Sequence, residues 1–348
     1  MYKLLPILLF AASFSFAVSQ VLTKQSNFWY TLNTPDSLRI ISMAINPQNH
    51  IYLGVLRDEN DMGGIFRSID RGNTWESIGL NDKSVFAIIY TRTGALLASG
   101  TNGMWKYNFE SDVWVEVYFL IENIISFYES SSNEIYAGSY GRILKSSDEG
   151  DSWTESVVFY SNIEVVTCIN EHHGNIYATV VNYFMANENS GIWRLPETGE
   201  SWKHLGLTGE FASSIAFNNN EIIVGSSGHY LSSHGGVLIS TDSGKTWDKY
   251  ESYTGYNSDG KWNTYAIRAF SVVITENNDY YIGGDRQTGH IGGVYKKNGE
   301  WGNWERIVSG MDNLNIIYLT IGPENYLYAL AQGYPDNSRI YKSINLIN

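Results

Sequence analysis

The feature that most constrains the fold of this 348-residue chain is an octet, Ser-x-Asp-x-Gly-x-Thr/Ser-Trp, that occurs three times. Three copies of so specific a pattern are hard to obtain by chance, which indicates a chain built from repeats. The recurring positions are Ser68, Asp70, Gly72, Thr74 and Trp75 in the first copy, Ser146, Asp148, Gly150, Ser152 and Trp153 in the second, and Ser240, Asp242, Gly244, Thr246 and Trp247 in the third.

Each residue type in the octet suits a tight turn between two strands. The Asp carboxylate can accept hydrogen bonds from backbone N–H groups further along the turn, and the Gly permits a positive φ. The Trp starts the next strand and offers a large surface for burial. The octet therefore predicts a structural hairpin turn without chemistry of its own. A weaker copy at 195–202 has Glu197 in place of the Asp.

Two shorter signals recur upstream of the octet. One is an apolar pair that a basic residue follows in most copies, as in Gly64-Ile65-Phe66-Arg67, and the other resembles Ile135-Tyr136-Ala137-Gly138. With an apolar strand before them and the Trp strand after them, they predict four short strands in every unit of about forty to fifty residues, which is typical of a propeller blade. The seven predicted blades are about 39–80, 84–120, 124–160, 164–207, 211–252, 266–311 and 316–348.

The last predicted blade lacks its Trp strand, whereas residues 28–32, Phe-Trp-Tyr-Thr-Leu, supply one ahead of the first blade. We therefore expect the N-terminal strand to complete blade seven and close the ring, which removes an open sheet edge. The predicted fold class is all-β: a seven-bladed β-propeller of four-stranded antiparallel blades. The whole of residues 20–348 forms this single domain.

Charge and composition limit the partners. The net charge is −13 and the pI about 5.0, whereas nucleic acids and anionic membrane surfaces require a basic face. We therefore expect no nucleic-acid partner and no membrane insertion. The single cysteine, Cys168, excludes an intrachain disulfide. It lies in a strand-like apolar run, where a buried small side chain is more typical than a nucleophile.

The first residues have the pattern of a secretory signal. Lys3 gives a positive start, residues 4–18 are apolar, and Ala17 and Ser19 are the small residues that a signal peptidase reads. The pattern predicts a signal peptide over residues 1–19, cleaved after Ser19, and a secreted or periplasmic mature protein. No later stretch is long and apolar enough for a membrane-spanning helix.

The octets resemble the Asp-box, or BNR repeat, of sialidases, sortilin-type receptors, xyloglucan-active glycoside hydrolases and photosystem II assembly factors. The resemblance implies a propeller fold, which these families share with different functions. Against sialidase activity, Arg39-Ile40 is followed by Ile41, where that family has Pro, and several later arginines belong to the repeat itself. The xyloglucan hydrolases place two catalytic Asp residues between two propellers, of which this chain has one. The assembly factors act by binding protein.

A ligand site is expected on the face that carries the loops between second and third strands and the connections between blades, opposite the octet turns. Blades four to six have the longest loops there. Aromatic, amide and basic groups suit sugar rings or a protein interface, although solvated loops with aromatic residues folded onto the rim would look the same. The candidate ligand-binding residues are Tyr183, Tyr230, Tyr256, Trp262, Arg286 and His290.

Catalytic and metal-binding groups are harder to find. A glycosidase needs two carboxyl groups roughly 5 to 10 Å apart, and the weak candidates on the long-loop face are Glu188, Asp259 and Asp285. No metal site and no cofactor is expected. The spacings of Asp58, Glu59 and Asp61, and of the histidines His229, His234 and His290, match no metal motif.

Two functions remain open from the sequence. The favoured hypothesis is a monomeric binding or scaffold module for a protein or glycan, with no chemistry of its own. The alternative is a glycoside hydrolase of the Asp-box or sialidase-like type that uses loop carboxylates. A paired carboxylate with a raised pKa would favour the enzyme, whereas an aromatic patch without such a pair would favour binding.

Overall fold

The structure contains seven four-stranded antiparallel sheets. A further two-stranded hairpin lies between the fifth and the sixth sheet. They belong to a computed structural model that describes residues 27–35, 38–57, 63–119, 122–159, 163–182, 189–228, 235–250, 252–256, 262–266, 268–284, 292–297, 299, 301, 303–312, 315–332 and 338–347. The predicted signal segment, 1–19, lies outside these residues. The fold is a seven-bladed β-propeller, as the repeats predict.

Each blade runs from a first strand at the ring centre to a fourth strand at the rim. The strands are β1 (Trp29–Thr31); β2–β5 in blade one (Arg39–Ile45, Ile51–Leu56, Gly64–Ser68, Glu76–Gly79); β6–β9 in blade two (Val85–Tyr90, Leu96–Gly100, Gly103–Asn108, Val113–Phe119); β10–β13 in blade three (Ile124–Glu129, Ile135–Ser139, Arg142–Ser146, Thr154–Val158); β14–β17 in blade four (Glu164–His172, Asn175–Asn182, Gly191–Leu195, Lys203–Gly206); β18–β21 in blade five (Ala212–Phe217, Ile222–Ser226, Gly236–Ser240, Asp248–Tyr250); the extra hairpin β22–β23 (Ser252–Tyr256, Trp262–Ala266); β24–β27 in blade six (Ala269–Ile274, Tyr280–Gly284, Gly293–Lys297, Trp304–Arg306); and β28–β30 in blade seven (Ile316–Ile321, Leu327–Ala331, Arg339–Ser343).

The two ends of the chain meet in blade seven. Strand β1 pairs antiparallel with β30, with Trp29 opposite Ser343 and Tyr30 opposite Lys342. Trp29 is fully buried, and its indole N–H donates to the backbone oxygen of Ile307 in blade six at 2.6 Å. The predicted closure of the ring by the N-terminal strand is confirmed.

The hydrophobic core lies between neighbouring blades. The second strands are its most buried part, because both of their faces pack against other residues: β7, β11, β19, β25 and β29 are buried at every position. Between blades one and two, for example, Tyr52 and Ile65 pack with Val85 and Leu96. A blade therefore has no core of its own and is stable only beside its neighbours.

Glycine in the second strand allows the blades to approach closely. A Cβ at Gly54 would lie 2.2 Å from Ser42 Oγ and 2.9 Å from Val85 Cγ1 of the next blade. Blade two has Ser99 at this position, opposite Ala87 instead of a serine. The Ser99 hydroxyl donates to the backbone oxygen of Ile124 in blade three at 2.7 Å.

The connection between blades five and six differs from the long loop that the sequence indicated. It contains the hairpin β22–β23, in which Ser252 pairs with Ala266 and Tyr256 with Trp262. Tyr, Thr and Trp favour extended backbone, which accounts for the two strands. Among the described residues, no helix is long and apolar enough to cross a membrane.

Because Trp29 lies where the ring closes, we expect Trp29→Ala to lower the stability of the protein strongly. We expect a loss of about 3–5 kcal/mol in the free energy of unfolding, because the change removes a fully buried indole at the point where the ring closes. Urea denaturation followed by fluorescence measures it. Phe119→Ala, at a rim residue that is 65% exposed, is the control and should stay within about 0.5 kcal/mol of the wild type. Equal effects of the two changes would contradict the closing role of Trp29.

Candidate binding sites

The three octets form turns that their own side chains hold together. The Asp70 carboxylate accepts hydrogen bonds from Ser68 Oγ (2.8 Å), the Thr74 backbone N–H (2.8 Å) and Thr74 Oγ1 (2.6 Å). Ser68 Oγ in turn accepts the Gly72 N–H at 2.8 Å. The same four contacts recur in the second and third octets.

The octet glycine has two roles. It takes a positive φ of +90° at Gly72, which costs other residues energy. It also faces the preceding blade: a Cβ at Gly72 would lie 2.8 Å from Leu32, and one at Gly150 would lie 2.8 Å from Leu97. The octet turns therefore stabilise single hairpins and the packing between blades.

The hydrogen bonds that the octet carboxylates accept make these groups more acidic than an ordinary Asp. The side-chain hydrogen bond from Thr or Ser, followed by the backbone N–H bond, lowers the pKa of Asp70, Asp148 and Asp242 to about 2. A general acid needs the opposite shift, a pKa raised toward the working pH. Each carboxylate is thus fitted to accept hydrogen bonds in the turn.

Most of the predicted ligand and catalytic residues lie outside the described residues. These are Tyr183, Tyr230, Arg286 and His290, the catalytic candidates Glu188, Asp259 and Asp285, and the excluded metal candidates Asp58, Glu59, Asp61, His229 and His234. The structure does bring the backbones of Tyr256 and Trp262 together, as direct cross-strand partners in the hairpin between blades five and six. In the part of the chain that the structure describes, no group of three or more acidic, His or Cys side chains could hold a metal ion.

The first strands surround a central channel with a cavity of about 500 Å³. Every first strand carries a bulge at the same place against its second strand, and the bulged residues face the channel. They are Ile41, Phe86, Ile125, Thr167, Ser213, Phe270 and Ile317. No Asp, Glu, Lys, Arg or His is among the described residues that line the cavity. An apolar wall with scattered hydroxyl groups suits binding better than acid–base chemistry.

Two of the ionisable groups that line the channel, Cys168 and Tyr318, have a raised pKa and are neutral near pH 7. Cys168 is half-buried, and desolvation raises the pKa of its thiol. Desolvation also raises the pKa of the Tyr318 phenol, although water reaches 38% of that residue from the channel. A thiol with a raised pKa is a poor nucleophile, in keeping with the structural role that the sequence indicated for Cys168.

One buried acid was missed by the sequence reasoning. Glu164 opens the first strand of blade four and is fully buried, and the amide of Asn189 donates to its Oε1 at 3.3 Å. Its register partner, Asn182, is 1% exposed. The available signal was a carboxylate at the start of an apolar strand. Glu188 immediately precedes Asn189 but lies outside the described residues.

A second set of cavities lies between blades on the face of the octet turns. A cavity of about 400 Å³ lies between blades three and four, and one of about 200 Å³ lies between blades four and five. Another of about 400 Å³ lies between blades seven and one. They include the basic position at the end of the Gly-apolar-apolar-basic signal, which is Lys145, Arg194 and Lys342 in the three cavities respectively. The sequence reasoning did not consider this face as a site.

Comparisons with known proteins support the fold. No protein-family model and no curated protein sequence matches the chain. Among solved structures, YCF48 bound to D1 peptide has a TM-score of 0.65 at 14% identity, over 92% of this chain and 98% of YCF48. The extracellular domain of a hybrid two-component system, BT4673 from B. thetaiotaomicron, has a TM-score of 0.65 at 12% identity, over 90% of this chain.

The xyloglucanase of family GH74 from Xanthomonas campestris has a TM-score of 0.60 at 14% identity over 84% of this chain. This chain spans 39% of the length of the BT4673 domain and 51% of the xyloglucanase. At such identities the similarity shows the propeller fold alone.

The low pKa values of the octet carboxylates predict how the thermal stability of the protein changes with pH. Their pKa values of about 2 lie below the ordinary 3.8, so their stabilisation is complete above about pH 4 and is lost as the pH falls to about 2. We expect Asp70→Asn, Asp148→Asn and Asp242→Asn together to lower Tm by several degrees at pH 7. The difference from the wild type should shrink between pH 4 and pH 2.

Calorimetry across this pH range measures the effect. Asp248→Asn, at an exposed position just beyond the third octet, is the control and should leave Tm unchanged at each pH. A difference between the triple variant and the wild type that stays constant with pH would show that the charges of the turn carboxylates contribute nothing to stability.

Proposed function

We propose that this chain is an exported Asp-box propeller that serves as a binding or scaffold module for a protein or glycan. The observation that carries the proposal is the chemical character of the described surfaces. The described residues of the channel wall include no carboxylate or base, and hydrogen bonds in the octet turns lower the pKa of Asp70, Asp148 and Asp242. Neither feature provides a general acid, whereas both are compatible with a rigid scaffold that presents loops.

The comparisons support the proposal by analogy of fold. YCF48 has nearly the same extent as this chain and is described with a bound peptide. The xyloglucanase is a longer chain of which this one matches about half. A single propeller thus corresponds in extent to the peptide-bound protein, although fold alone does not decide function.

The proposed ligand surface is the long-loop face of blades four to six. Tyr256 and Trp262 are cross-strand partners in the hairpin that connects blades five and six, which supports their joint assignment to this surface. Aromatic side chains offer a large contact area at low entropic cost, which suits a protein interface or a sugar ring. Tyr183, Tyr230, Arg286 and His290 extend this surface in the proposal.

We also propose that the signal peptide of residues 1–19 is cleaved after Ser19 and that the mature protein is secreted or periplasmic. The apolar run at 4–18 and the small residues around the cleavage site support it. The solved extracellular domain of BT4673 shows that the same fold occurs outside the cytoplasm.

The second candidate function, a glycoside hydrolase, has one observation in its favour. Glu164 is a fully buried carboxyl group at the long-loop end of blade four, where it accepts a hydrogen bond from the Asn189 amide. Two carboxyl groups at suitable separation around a cleft are what hydrolysis of a glycosidic bond requires. In this alternative, Glu188, Asp259 or Asp285 would supply the second group.

The test is a screen of the purified mature protein against chromogenic glycosides, a polysaccharide array and a pull-down from the secreted fraction. We expect specific binding without product release, and a loss of affinity of at least about tenfold in Trp262→Ala, since hot-spot aromatics contribute about 2 kcal/mol or more. Phe119→Ala, an exposed aromatic residue on the rim of blade two, is the control and should bind normally.

Product release that disappears in Glu164→Gln or Asp285→Ala, with Tm unchanged, would replace the binding proposal with the hydrolase. Binding that Trp262→Ala leaves intact would move the ligand surface away from the hairpin.

A further inference from the structure

The basic residue that ends the Gly-apolar-apolar-basic signal is neutralised in four blades. Arg67 pairs with Glu76 at 2.7 Å, Lys106 with Asp151 at 2.7 Å, Lys145 with Glu134 at 2.5 Å and Lys296 with Asp279 at 2.6 Å. Blade five has Ile239 at this position. The repeat thus normally supplies a carboxylate for this cation.

Lys342, the same position in blade seven, has no such partner in the described part of the chain. The residue is 4% exposed, and its ammonium group lies 3.9 Å from the ring centre of Tyr326 and 5.4 Å from that of Tyr328. Two aromatic faces attract a cation but do not neutralise it. Burial lowers the pKa of Lys342, the direction expected of an ammonium group without an anion, and Glu324 opposes this shift.

The lysine lines the cavity of about 400 Å³ between blades seven and one. Arg71 lines it too, from the first octet, and is already paired with Glu324 at 2.7 Å. Two cations and one carboxylate leave this cavity with an excess positive charge, in a protein whose net charge is −13. A buried cation beside an accessible cavity is stabilised further when an anion enters.

We propose that this cavity, which we call the seam site, binds a carboxylate group of a peptide, with Lys342 as the cation that it meets. The inference deepens the proposed binding function and rests on it. The carboxylate is the side chain of an acidic residue or the C-terminus of the bound chain. It completes the ion pair that the other blades make internally, as a charge-assisted hydrogen bond at low solvent exposure.

Two features favour a peptide over an acidic sugar. One N–H of each amide at the cavity is already used: Asn33 Nδ2 donates to the Asn73 backbone oxygen at 3.1 Å, and Asn73 Nδ2 donates to the Asp70 backbone oxygen at 2.7 Å. These two N–H groups are therefore not free for sugar hydroxyl groups. In addition, β1 is the outermost strand of blade seven, so an extended peptide can pair with its outer side at Thr31, next to Trp29, whose N–H already donates to the Ser309 backbone oxygen.

The other two cavities on this face that contain a basic position of the repeat are less suited to an anion. The cavity between blades four and five contains Arg194, which forms no ion pair with a described residue, but Glu221 lines it as well. The cavity between blades three and four contains Lys145, which Glu134 already neutralises, together with Glu171 and Glu197. Of these three cavities, the seam site alone has two cations and no carboxylate among its described lining residues.

The test measures how much a negative charge contributes to peptide binding by the mature protein. The probes are acetyl-Ala-Tyr-Ala-Glu-Ala-amide and its Gln counterpart, and acetyl-Ala-Tyr-Ala-Ala-Ala as free acid and as amide, titrated by NMR. Sodium glucuronate is a further probe. We expect at least one charged peptide to bind at least about tenfold more tightly than its neutral counterpart, since one charge-assisted bond contributes about 1.5–3 kcal/mol.

Lys342→Met should abolish this preference and retain weak binding of the neutral peptides. Lys106→Met, at the same repeat position but with its own carboxylate, Asp151, is the matched control and should retain the preference. Both variants should keep Tm within about 3 °C of the wild type, and a larger change in Lys342→Met would move the test to Lys342→Gln.

Equal affinity for charged and neutral peptides would overturn the seam site while leaving the proposed binding function intact. So would a charge preference that survives Lys342→Met, or tighter binding of glucuronate than of the acidic peptides. Failure of the pull-down and glycan screens would instead count against the proposed function itself.

Discussion

The antiparallel pairing of β1 with β30 is the contact on which the ring depends. Each blade buries its faces against two neighbours, so an open array would expose the outer faces of blades one and seven. The N-terminal strand prevents this by completing blade seven, and Trp29 extends the contact to Ile307 in blade six. The residues that close the ring come from opposite ends of the sequence. The seam between blades seven and one is therefore the part of the propeller whose formation has the largest loop-closure entropy.

The octets add local stability to this long-range closure, and their uneven distribution follows from that role. Where an octet is missing, other polar contacts hold the hairpin or join it to the preceding blade. In blade two, Tyr107 donates to Asp112 at 2.9 Å, and the indole of Trp114 donates to the Ile78 backbone oxygen of blade one at 2.9 Å. In blade six, Trp304 takes the strand position and Trp301 instead donates to Glu221 of blade five at 3.1 Å. Because several different hydrogen bonds can hold the outer strands in place, the sequence can lose the pattern without losing the hairpin.

The repeat made the blades, their four strands and the closure predictable, because each depends on a local pattern that recurs. The hairpin β22–β23 was missed because it belongs to no repeat. The charge state of the basic positions was equally hidden from sequence. Lys106 finds its partner Asp151 in the next blade, 45 residues away, whereas Lys342 carries the same local signal and finds none in the described residues. Glu164 was missed for a related reason, since its burial depends on the strands around it and not on its neighbours in the chain.

The position of Lys342 also joins binding to closure. Lys342 is the register partner of Tyr30, so the seam site consists of residues from β30 and from the strand that closes the ring. A ligand that contacts both strands binds only when they are paired. By linkage, such a ligand stabilises the closed ring by RT ln(1 + [L]/Kd), about 2.7 kcal/mol at one hundred times Kd. An anion bound at the seam site would therefore also stabilise the closed ring. A ligand on the long-loop face of blades four to six would not have this second effect.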